Sequence, residues 1–530
     1  MLVRKLLIVA VLVWPAWAFA VASDTIDPSR ISDSIRVLAS DDFEGRAPDS
    51  EGGRKAVDYI VDTFRRAGLE PGARDGSWLQ QAVFDRYTLT GPVTASVSNA
   101  AMHARLEQGT SVMLYPDSAG DHVAIQNAPM VFVGYGISAP QAGWDDLKGF
   151  DLAGKVAIVM IGEPDATKSS DAFGRLSNRV DNLLRRGAVA VLFLYNPEDT
   201  GWLWATAQST FAMPQFRLAD DPLRSPQCEG WLYDATAAQI FKLGGRDLNA
   251  ARAAAKLPSF APLPLNMNFS ASYGYRTETV PSPNVIGLLR GARRPGEYVI
   301  YSAHWDHLGR DPKTGAIYSG ALDNASGVAA LAEIARVMAQ GSRPERSVLF
   351  LATTMEEKGL LGARYYTKHP VYPLAQTVAD LNIDMLMDDG PARDISIVGA
   401  GRNDLDYVVS RVARTQGKIV YMDATPSQGG YYRADHYAFA RAGVPSVILG
   451  SGTNLIEGGY AAGKKAGNDY AVRRYHQAAD KWSPKMNFIG MAHDAELYLD
   501  VGLALANSND WPQWRAGNPF KPVRDAMRPQ

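Results

Sequence analysis

Short apolar runs alternate with helical repeats along the second half of the chain. Residues 298–303 and 347–353 are largely apolar runs with the length of buried strands. Residues 327–340 and 488–506 instead carry apolar side chains at helical spacing. Strands that alternate with helices predict an α/β domain whose mostly parallel, doubly wound sheet is flanked by helices. The same patterns predict further strands at 379–383, 395–399, 419–422 and 446–449, and further helices at 361–368, 405–415 and 436–442.

The first half of the chain has two different patterns. Residues 31–38 and 56–67 repeat apolar side chains at helical spacing, with a polar turn at 42–46 between them. From about residue 87 to 257, short apolar runs are separated by Gly, Pro and Asp, and no cluster of metal-ligating residues occurs. We interpret this stretch as an insert or accessory domain. It has predicted strands at 130–133, 156–160 and 189–195, and a predicted helix at 182–188.

The N-terminus has the order of a secretory signal peptide. Arg4 and Lys5 precede an apolar run over residues 6–14, and a small-residue cleavage site ends at Ala20 or Ala22. The alternative is a retained membrane anchor, because no charge interrupts the segment after Lys5. We predict cleavage, and export to the periplasm or the extracellular space.

Length, charge and cysteine content narrow the possible classes of protein. A chain of 530 residues predicts two or three compact units. Its 54 Lys and Arg against 56 Asp and Glu give a formal net charge of −2, which offers no electrostatic reason to expect nucleic acid or an anionic membrane as partner. Cys228 is the single cysteine, so the chain has no internal disulfide.

Potential metal ligands follow the predicted strands. His304, Glu356, Glu357 and Asp384 each come just after a predicted strand, and Asp323 precedes a predicted helix. Because ligands gather at the carboxyl ends of parallel strands, we expect these side chains to converge. Carboxylates so close together would repel one another unless a cation neutralised them. An imidazole among several carboxylates suits zinc, and the excess of carboxylates indicates two ions with a shared ligand.

Five motifs in chain order carry a family resemblance. They are YSAHWDHLG at 301–309, GALDNASG at 320–327, MEEKGLLG at 355–362, NIDM at 382–385 and YHQAAD at 475–480. Together they resemble the co-catalytic di-zinc aminopeptidases, whose relatives include glutamate carboxypeptidases and glutaminyl cyclases. The insert resembles a protease-associated domain around 131–136 and 151–156.

The resemblance implies a zinc exopeptidase fold, an α/β domain with an inserted β-rich domain. It divides the chain into a signal peptide (1–22), an N-terminal part of the peptidase domain (23–110), a protease-associated insert (111–265), the main di-zinc peptidase domain (266–510) and a tail (511–530). We assign the tail no role.

The same resemblance implies a ligand set for two Zn²⁺ ions per chain. His304 and Asp384 would hold one ion, Glu357 and His476 the other, and Asp323 would bridge them. A bridging carboxylate is physically reasonable, because its two oxygens can be shared and a helix start favours negative charge.

Catalytic roles are implied for three neighbours of these ligands. Asp306 would fix the tautomer of His304, Glu356 would act as general base, and Tyr475 would donate its hydroxyl to the oxyanion. Arg433 and Asp435 are expected to face the substrate.

Three further residues have open roles. His436 is an alternative metal ligand, His307 an orienting or structural group, and Asp480 a residue that would orient His476.

Removal of N-terminal residues from peptides is the leading function. A free substrate ammonium needs an anionic pocket, which Glu356 and a ligand carboxylate would provide. A carboxypeptidase would need convergent cations; Arg433 is the one candidate between residues 428 and 436, while Arg473 and Arg474 keep this alternative open.

Two further classes stay open. A glutaminyl cyclase ranks third, because the forms resembled use one zinc and lack the insert. A metal-free binding protein on this fold would lack ligands, whereas all five are present. The expected partners are therefore peptides, and the oligomeric state stays open.

Overall fold

The computed structural model describes residues 25–116, 120–140, 143–164, 176–221, 228–422 and 429–528. The predicted signal peptide, residues 1–22, lies outside the described residues. The helices are α1 (Pro28–Leu38), α2 (Glu51–Ala67), α3 (Leu176–Arg185), α4 (Pro197–Thr200), α5 (Trp204–Phe211), α6 (Asp234–Leu243), α7 (Leu248–Ala255), α8 (Gly327–Gln340), α9 (Leu361–Lys368), α10 (Leu405–Thr415), α11 (His436–Arg441), α12 (Gly459–Arg473), α13 (Phe488–Asn507) and α14 (Lys521–Met527).

Strands occur in both the insert and the main domain. They are β1 (Glu70–Pro71), β2 (Leu79–Leu89), β3 (Thr94–Asn99), β4 (Met102–Leu106), β5 (Val112–Tyr115), β6 (His122–Phe132), β7 (Ser138–Ala139), β8 (Trp144–Asp145), β9 (Val156–Met160), β10 (Ala190–Leu194), β11 (Gln215–Leu218), β12 (Cys228–Leu232), β13 (Leu263–Leu289), β14 (Arg294–His304), β15 (Gly309–Arg310), β16 (Ile317–Tyr318), β17 (Arg346–Thr353), β18 (Thr377–Asn382), β19 (Asp394–Ile397), β20 (Ile419–Met422) and β21 (Ser446–Gly450).

The sheet of the main domain has a parallel centre. Strands β17, β14, β18 and β21 lie side by side in parallel. The end of β13 pairs antiparallel with β17 at one side, and β19 pairs antiparallel with β21 at the other. Every residue of β17 and β18 is buried, as expected for strands covered on both faces. The predicted α/β class, with a mostly parallel sheet between helices, is confirmed.

Helices cover both faces of this sheet. The larger hydrophobic core lies on one face and includes apolar side chains of α1, α2, α8, α10 and α13. A smaller core on the other face includes Tyr366 of α9 and Phe439 of α11. Two layers of helices around parallel strands leave the carboxyl ends of the strands free to carry a site.

The insert has its own sheet and core. Its parallel strands β6, β9, β10 and β12 are continued by the antiparallel strand β5. The core residues of the insert run from Tyr87 to Tyr275, so the core extends beyond both ends of the predicted segment 111–265. The long strand β13 joins the two parts, because it pairs with β6 inside the insert and with β17 in the main domain.

The tail packs on the main domain. Trp514 and Phe520 form a buried cluster with Tyr437, and Arg524 of α14 donates to the carbonyl oxygens of Leu374 and Thr377 at 3.0 and 2.8 Å. Among the described residues, no helix combines the length and the apolar character needed to cross a membrane.

Candidate metal centre

Three neighbouring parallel strands deliver acidic and imidazole groups to one edge of the sheet. His304 is the last residue of β14, Glu356 and Glu357 follow β17 in a one-turn helix, and Asp384 comes two residues after β18. Their convergence follows from the shared direction of the strands.

Asp323 reaches the same place from the turn before α8. This turn is tied to the end of β18, because Asn324 Nδ2 donates to the carbonyl oxygen of Ile383 at 2.9 Å, and Asn324 Oδ1 accepts from Met385 N at 3.2 Å. Glycine is required at position 320, where φ is +56° and a Cβ atom would lie 2.0 Å from the carbonyl oxygen of Asp323. The turn therefore holds Asp323 beside Asp384.

The first cluster consists of His304, Asp323 and Asp384. Nε2 of His304 lies 3.3 Å from Asp323 Oδ1 and 3.3 Å from Asp384 Oδ1. These three residues form a group that could hold a metal ion. Glu356 Oε2 lies 4.0 Å from the same nitrogen, at the border of the cluster.

The second cluster contains the other oxygen of Asp323. Nε2 of His476 lies 3.1 Å from Asp323 Oδ2 and 3.1 Å from Glu357 Oε2. His307 also reaches this cluster, since its Nδ1 lies 2.6 Å from Glu357 Oε1, and His307, Asp323 and Glu357 form a second group that could hold a metal ion. His476 contacts both carboxylates, so it is the better ligand candidate, and His307 is placed to orient Glu357.

The donor atoms fit zinc in both number and spacing. Ligand atoms bound at about 2.0–2.1 Å around a tetrahedral zinc ion lie about 3.3 Å apart. The contacts between imidazole and carboxylate in the two clusters are 3.1 to 3.3 Å. With His476 taken as the ligand of the second cluster, each cluster supplies one imidazole and two carboxylate oxygens. The two oxygens of Asp323 face different imidazoles, as a shared ligand requires.

The charges of the buried groups also indicate a need for cations. Burial opposes a proton on His476, yet Glu357 and Asp323 outweigh it and raise its pKa to about 10. Burial likewise opposes a charge on His304, but Asp384 and Glu356 raise its pKa well above the usual range. Protons on both imidazoles would thus take up the positive charge that divalent cations supply when they are bound.

Glu356 differs electrostatically from its neighbour. Burial and the carboxylates of Asp384 and Glu357 raise the pKa of Glu356 well above its usual range, against the opposing effect of His304. Burial also acts on Glu357, but His476 and His307 hold its pKa below the usual range. The two adjacent residues are therefore suited to different tasks, Glu356 to carrying a proton and Glu357 to binding a cation.

Three residues at or next to the candidate ligands have strained backbone conformations. His476, Met355 and Met385 adopt left-handed conformations with φ of 54°, 56° and 60°. Met355 immediately precedes Glu356, and Met385 immediately follows Asp384. Non-glycine residues adopt this region at a cost, and such strain is common at functional sites.

Asp306 is placed differently from the expectation. His304 Nδ1 lies 3.1 Å from the backbone carbonyl oxygen of Asp306 and 3.8 Å from Asp306 Oδ1. The carboxylate accepts instead from Glu356 N at 3.1 Å. The carbonyl thus holds His304, and the side chain of Asp306 positions the backbone of Glu356.

Asp480 orients a different ligand from the one expected. Its carboxylate accepts from the backbone N–H groups of Leu322 and Asp323 at 3.0 and 3.2 Å, and from Arg474 Nη2 at 3.2 Å. It therefore holds the backbone at Asp323 in place, whereas His476 has another partner.

That partner comes from the insert. Nδ1 of His476 lies 2.8 Å from Oγ1 of Thr210, the second-last residue of α5, and the contact is buried. Nothing in the sequence around Thr210 indicates this contact, because 266 residues separate the two.

Arg46 is a further group that sequence patterns did not reveal. Its side chain is fully buried and donates to the backbone carbonyl oxygens of Trp305, Leu38, Ser319 and Gly320, at 2.9, 2.9, 2.6 and 2.9 Å. Burial lowers the pKa of Arg46 to about 10, against the attraction of Asp323 and Asp306. It joins the segment after β14 to the turn that carries Asp323.

Tyr475 contacts the ligand candidate His476, and Arg433 contacts the insert. The Tyr475 ring packs on His476 with ring centroids 4.2 Å apart, and burial raises the pKa of the Tyr475 hydroxyl. Arg433 Nη1 donates to the carbonyl oxygen of Thr200 in the insert at 3.3 Å.

Two further predicted residues are fully buried. Asp435, expected to face the substrate, is fully buried and accepts from the hydroxyl of Thr353. His436, the alternative ligand, belongs to neither cluster in the described part of the chain; burial and Arg402 lower its pKa to about 3.

Solved structures with this fold include zinc aminopeptidases. An aminopeptidase from Aneurinibacillus sp. strain AM-1 aligns with a TM-score of 0.55 at 18% identity, over 92% of this chain and 96% of that chain. A zinc aminopeptidase from Bacillus subtilis, BSAP, aligns with a TM-score of 0.50 at 17% identity, over 92% and 97%. At these identities the likeness concerns the fold.

Curated relatives match parts of the chain. Aminopeptidase NAALADL1 of Mus musculus is 36% identical over 140 residues, which are 24% of this chain and 17% of the relative. A glutamate carboxypeptidase 2 homolog of Caenorhabditis elegans is 22% identical over 429 residues, 69% of this chain and 52% of the relative. Aminopeptidase YwaD of Bacillus subtilis is 27% identical over 204 residues, which are 38% of this chain and 43% of the relative. The chain thus spans 17% to 52% of the length of these relatives.

Residues 284–498 match the model of peptidase family M28. This part of the chain is an M28 peptidase domain, and it contains both candidate metal clusters. The resemblance to the di-zinc aminopeptidase family is therefore confirmed for this domain. The protease-associated character of the insert stays a prediction.

Proposed function

We propose that this chain is an exported aminopeptidase that removes N-terminal residues from peptides with the help of two zinc ions. The observation that carries the proposal is the arrangement around Asp323, whose two oxygens lie 3.3 Å from His304 Nε2 and 3.1 Å from His476 Nε2. Asp384 and Glu357 complete the two clusters as the other carboxylate ligands.

Zinc, when bound, polarises the scissile carbonyl and makes water acidic enough to attack it near neutral pH. The residues of the chain then divide the work. Glu356 takes the proton from the attacking water and returns it to the leaving amine, a task that suits a buried carboxyl group at the border of the first cluster. Asp306 holds the Glu356 backbone in place. Tyr475 donates its hydroxyl to the oxygen on which negative charge develops.

The charges near the centre favour an amino terminus over a carboxyl terminus. Arg474 is already paired with Asp388 at 2.9 Å and with Asp480 at 3.2 Å. Arg473 is largely exposed and faces Asp469 at 3.9 Å. Arg433 donates towards the insert. By contrast, Glu356 is a buried carboxylate at the centre that is not assigned to zinc, and an ammonium group is the natural partner of such a group.

Space for the rest of a peptide lies beside the centre. A cavity of about 1100 Å³ lies between the main domain and the insert, and its wall includes His307, Lys358, Tyr115 and Phe211. This volume is slightly above the range of about 300–1,000 Å³ that is typical of small-ligand sites, so it leaves room for more than a single residue.

A matched pair of substrates tests the proposal. Leucyl-arylamides with a free amine should be hydrolysed by the purified chain with two zinc ions bound, and their N-acetylated counterparts should not. Cleavage of N-blocked peptides from the C-terminus would contradict the assignment in favour of a carboxypeptidase. Mass spectrometry of the intact, metal-loaded chain counts the zinc ions, and N-terminal sequencing of the exported protein locates signal cleavage.

A further inference from the structure

Helix α5 of the insert reaches into the metal centre of the main domain. Oγ1 of Thr210 lies 2.8 Å from Nδ1 of His476, and both residues are buried. The opposite ring nitrogen, Nε2, faces Asp323 and Glu357 at 3.1 Å each. A single imidazole therefore connects the insert to the second metal cluster.

The chemistry of imidazole fixes the direction of this hydrogen bond. A neutral imidazole that binds a metal through Nε2 must carry its proton on Nδ1. Nδ1 of His476 then donates to the hydroxyl oxygen of Thr210. A partner on the second nitrogen fixes the tautomer and the rotation of the ring and raises the basicity of the ligand nitrogen.

Helix α5 is held firmly inside the insert. Trp204 Nε1 and Gln208 Nε2 both donate to the carbonyl oxygen of Gly109, at 2.8 and 2.7 Å. Phe211, next to Thr210, stacks on Tyr115 with ring centroids 4.7 Å apart and 8° between the ring planes. The position of the Thr210 hydroxyl is thus set by the core of the insert.

Contacts on both sides of α5 fix the insert against the main domain. Arg433 donates to the carbonyl oxygen of Thr200 before the helix. After it, Asp220 pairs with Lys368 of α9 at 2.8 Å, and Asp221 pairs with Arg364. The Thr210 contact therefore lies within a docked interface.

We propose that Thr210 is a positioning residue for the second zinc ion, so that the insert completes the metal centre of the main domain. The proposal rests on the zinc centre of the proposed function. It assigns the insert a direct part in metal binding, because the acceptor for His476 Nδ1 belongs to the insert alone.

Three variants of the full chain separate this role from a general effect on packing. Thr210→Val keeps the shape of the side chain and removes the acceptor. Thr210→Ser keeps the hydroxyl. Thr206→Val is the matched control, because Thr206 is buried on the same helix and its hydroxyl has no hydrogen-bond partner among the described residues.

The measurement is zinc affinity at each of the two sites, by competition with a chromogenic chelator, with circular dichroism to verify the fold. Outer partners of metal ligands typically contribute about 10–100-fold in affinity. Thr210→Val should lower the affinity for one of the two zinc ions by that factor and leave the affinity for the other unchanged. Thr210→Ser should retain most of the affinity, and Thr206→Val should match the wild type.

Unchanged affinity in Thr210→Val, or an equal loss in Thr206→Val, would overturn the inference. Zinc binding is measured here without turnover, so a wild type that binds two zinc ions but cleaves no free-amine substrate refutes the aminopeptidase proposal alone. A wild-type chain that binds no zinc would overturn both proposals.

Discussion

Replacing Arg46 with methionine tests how the turn that carries Asp323 is held in place. The guanidinium is fully buried and donates to four backbone carbonyl oxygens, at 2.6 to 2.9 Å. Methionine keeps the apolar stem of the side chain and removes every donor. The four carbonyl groups, which lie between Leu38 and Gly320 along the chain, then lose this partner.

The size of the effect follows from opposing contributions. Hydrogen bonds to a charged group contribute about 1.5–3 kcal/mol each, so four give about 6–12 kcal/mol. Keeping a guanidinium out of water costs several kcal/mol, which offsets part of this gain. We therefore expect Arg46→Met to lower the free energy of unfolding of the main domain by about 3–5 kcal/mol.

Urea unfolding of the zinc-free chain measures this loss without a contribution from bound metal. Trp305 is buried and its carbonyl oxygen accepts from Arg46, so tryptophan fluorescence is a suitable probe. Arg46→Lys should lower the free energy of unfolding by less than Arg46→Met, because the lysine ammonium keeps the charge. It should still be less stable than the wild type, because lysine lacks the planar fork of the guanidinium.

Arg36→Met is the control for a lost arginine. Arg36 is 54% exposed and pairs with Asp33 at 3.0 Å, so its replacement should change the free energy of unfolding by less than about 0.5 kcal/mol. A change below about 1 kcal/mol in Arg46→Met would refute the view that this guanidinium holds the site together.

Three further substitutions distinguish the roles of residues at the centre. Glu356→Gln should keep both zinc ions while turnover falls by about 10²–10⁴-fold, because the proton acceptor is lost; loss of one zinc ion would mean that Glu356 is a ligand. Tyr475→Phe should retain zinc and raise the activation barrier by about 2.7–4 kcal/mol, seen in kcat more than in KM; near-normal turnover would assign the oxyanion role to another group. His476→Ala should lose one zinc ion and some thermal stability, measured by metal analysis and calorimetry; full zinc content would favour His307 as the ligand.

Elements with regular periodicity could be predicted from the sequence. Helices α8, α9 and α10 begin and end at the predicted residues, 327–340, 361–368 and 405–415. Their apolar side chains recur at helical spacing because one face of each helix packs against the core. The class of fold follows from the alternation of such helices with apolar strands.

Helix α12 could not be predicted, for a physical reason. Among its fifteen residues, Gly463 and Tyr470 are the buried ones, so no apolar face marks the segment. The tail from residue 511 gave no pattern either, because its burial depends on single anchors such as Trp514, which packs against Phe520 with ring centroids 5.1 Å apart. Contacts made by isolated residues leave no periodic signal.

Some residues of the candidate site could likewise be predicted from the sequence, and others could not. His304, Glu356, Glu357 and Asp384 follow strand ends, so the direction of the strands predicts their convergence. Arg46 donates to the carbonyl oxygen of Trp305, which is 259 residues away along the chain. Thr210 contacts a ring nitrogen of His476, which is 266 residues away. Such contacts depend on the packed structure and not on any local pattern.

Contacts between distant segments show how the centre is assembled. Arg46 reaches it from the segment before α2, Thr210 from the insert, and Asp480 from the loop after α12. Each holds a ligand or the turn that carries one, and none is itself a ligand candidate. The ligand candidates therefore lie on one domain, while the groups that orient them come from the segment before α2, the insert and the loop after α12. A zinc site with this support should reach full affinity only when the insert is docked on the main domain.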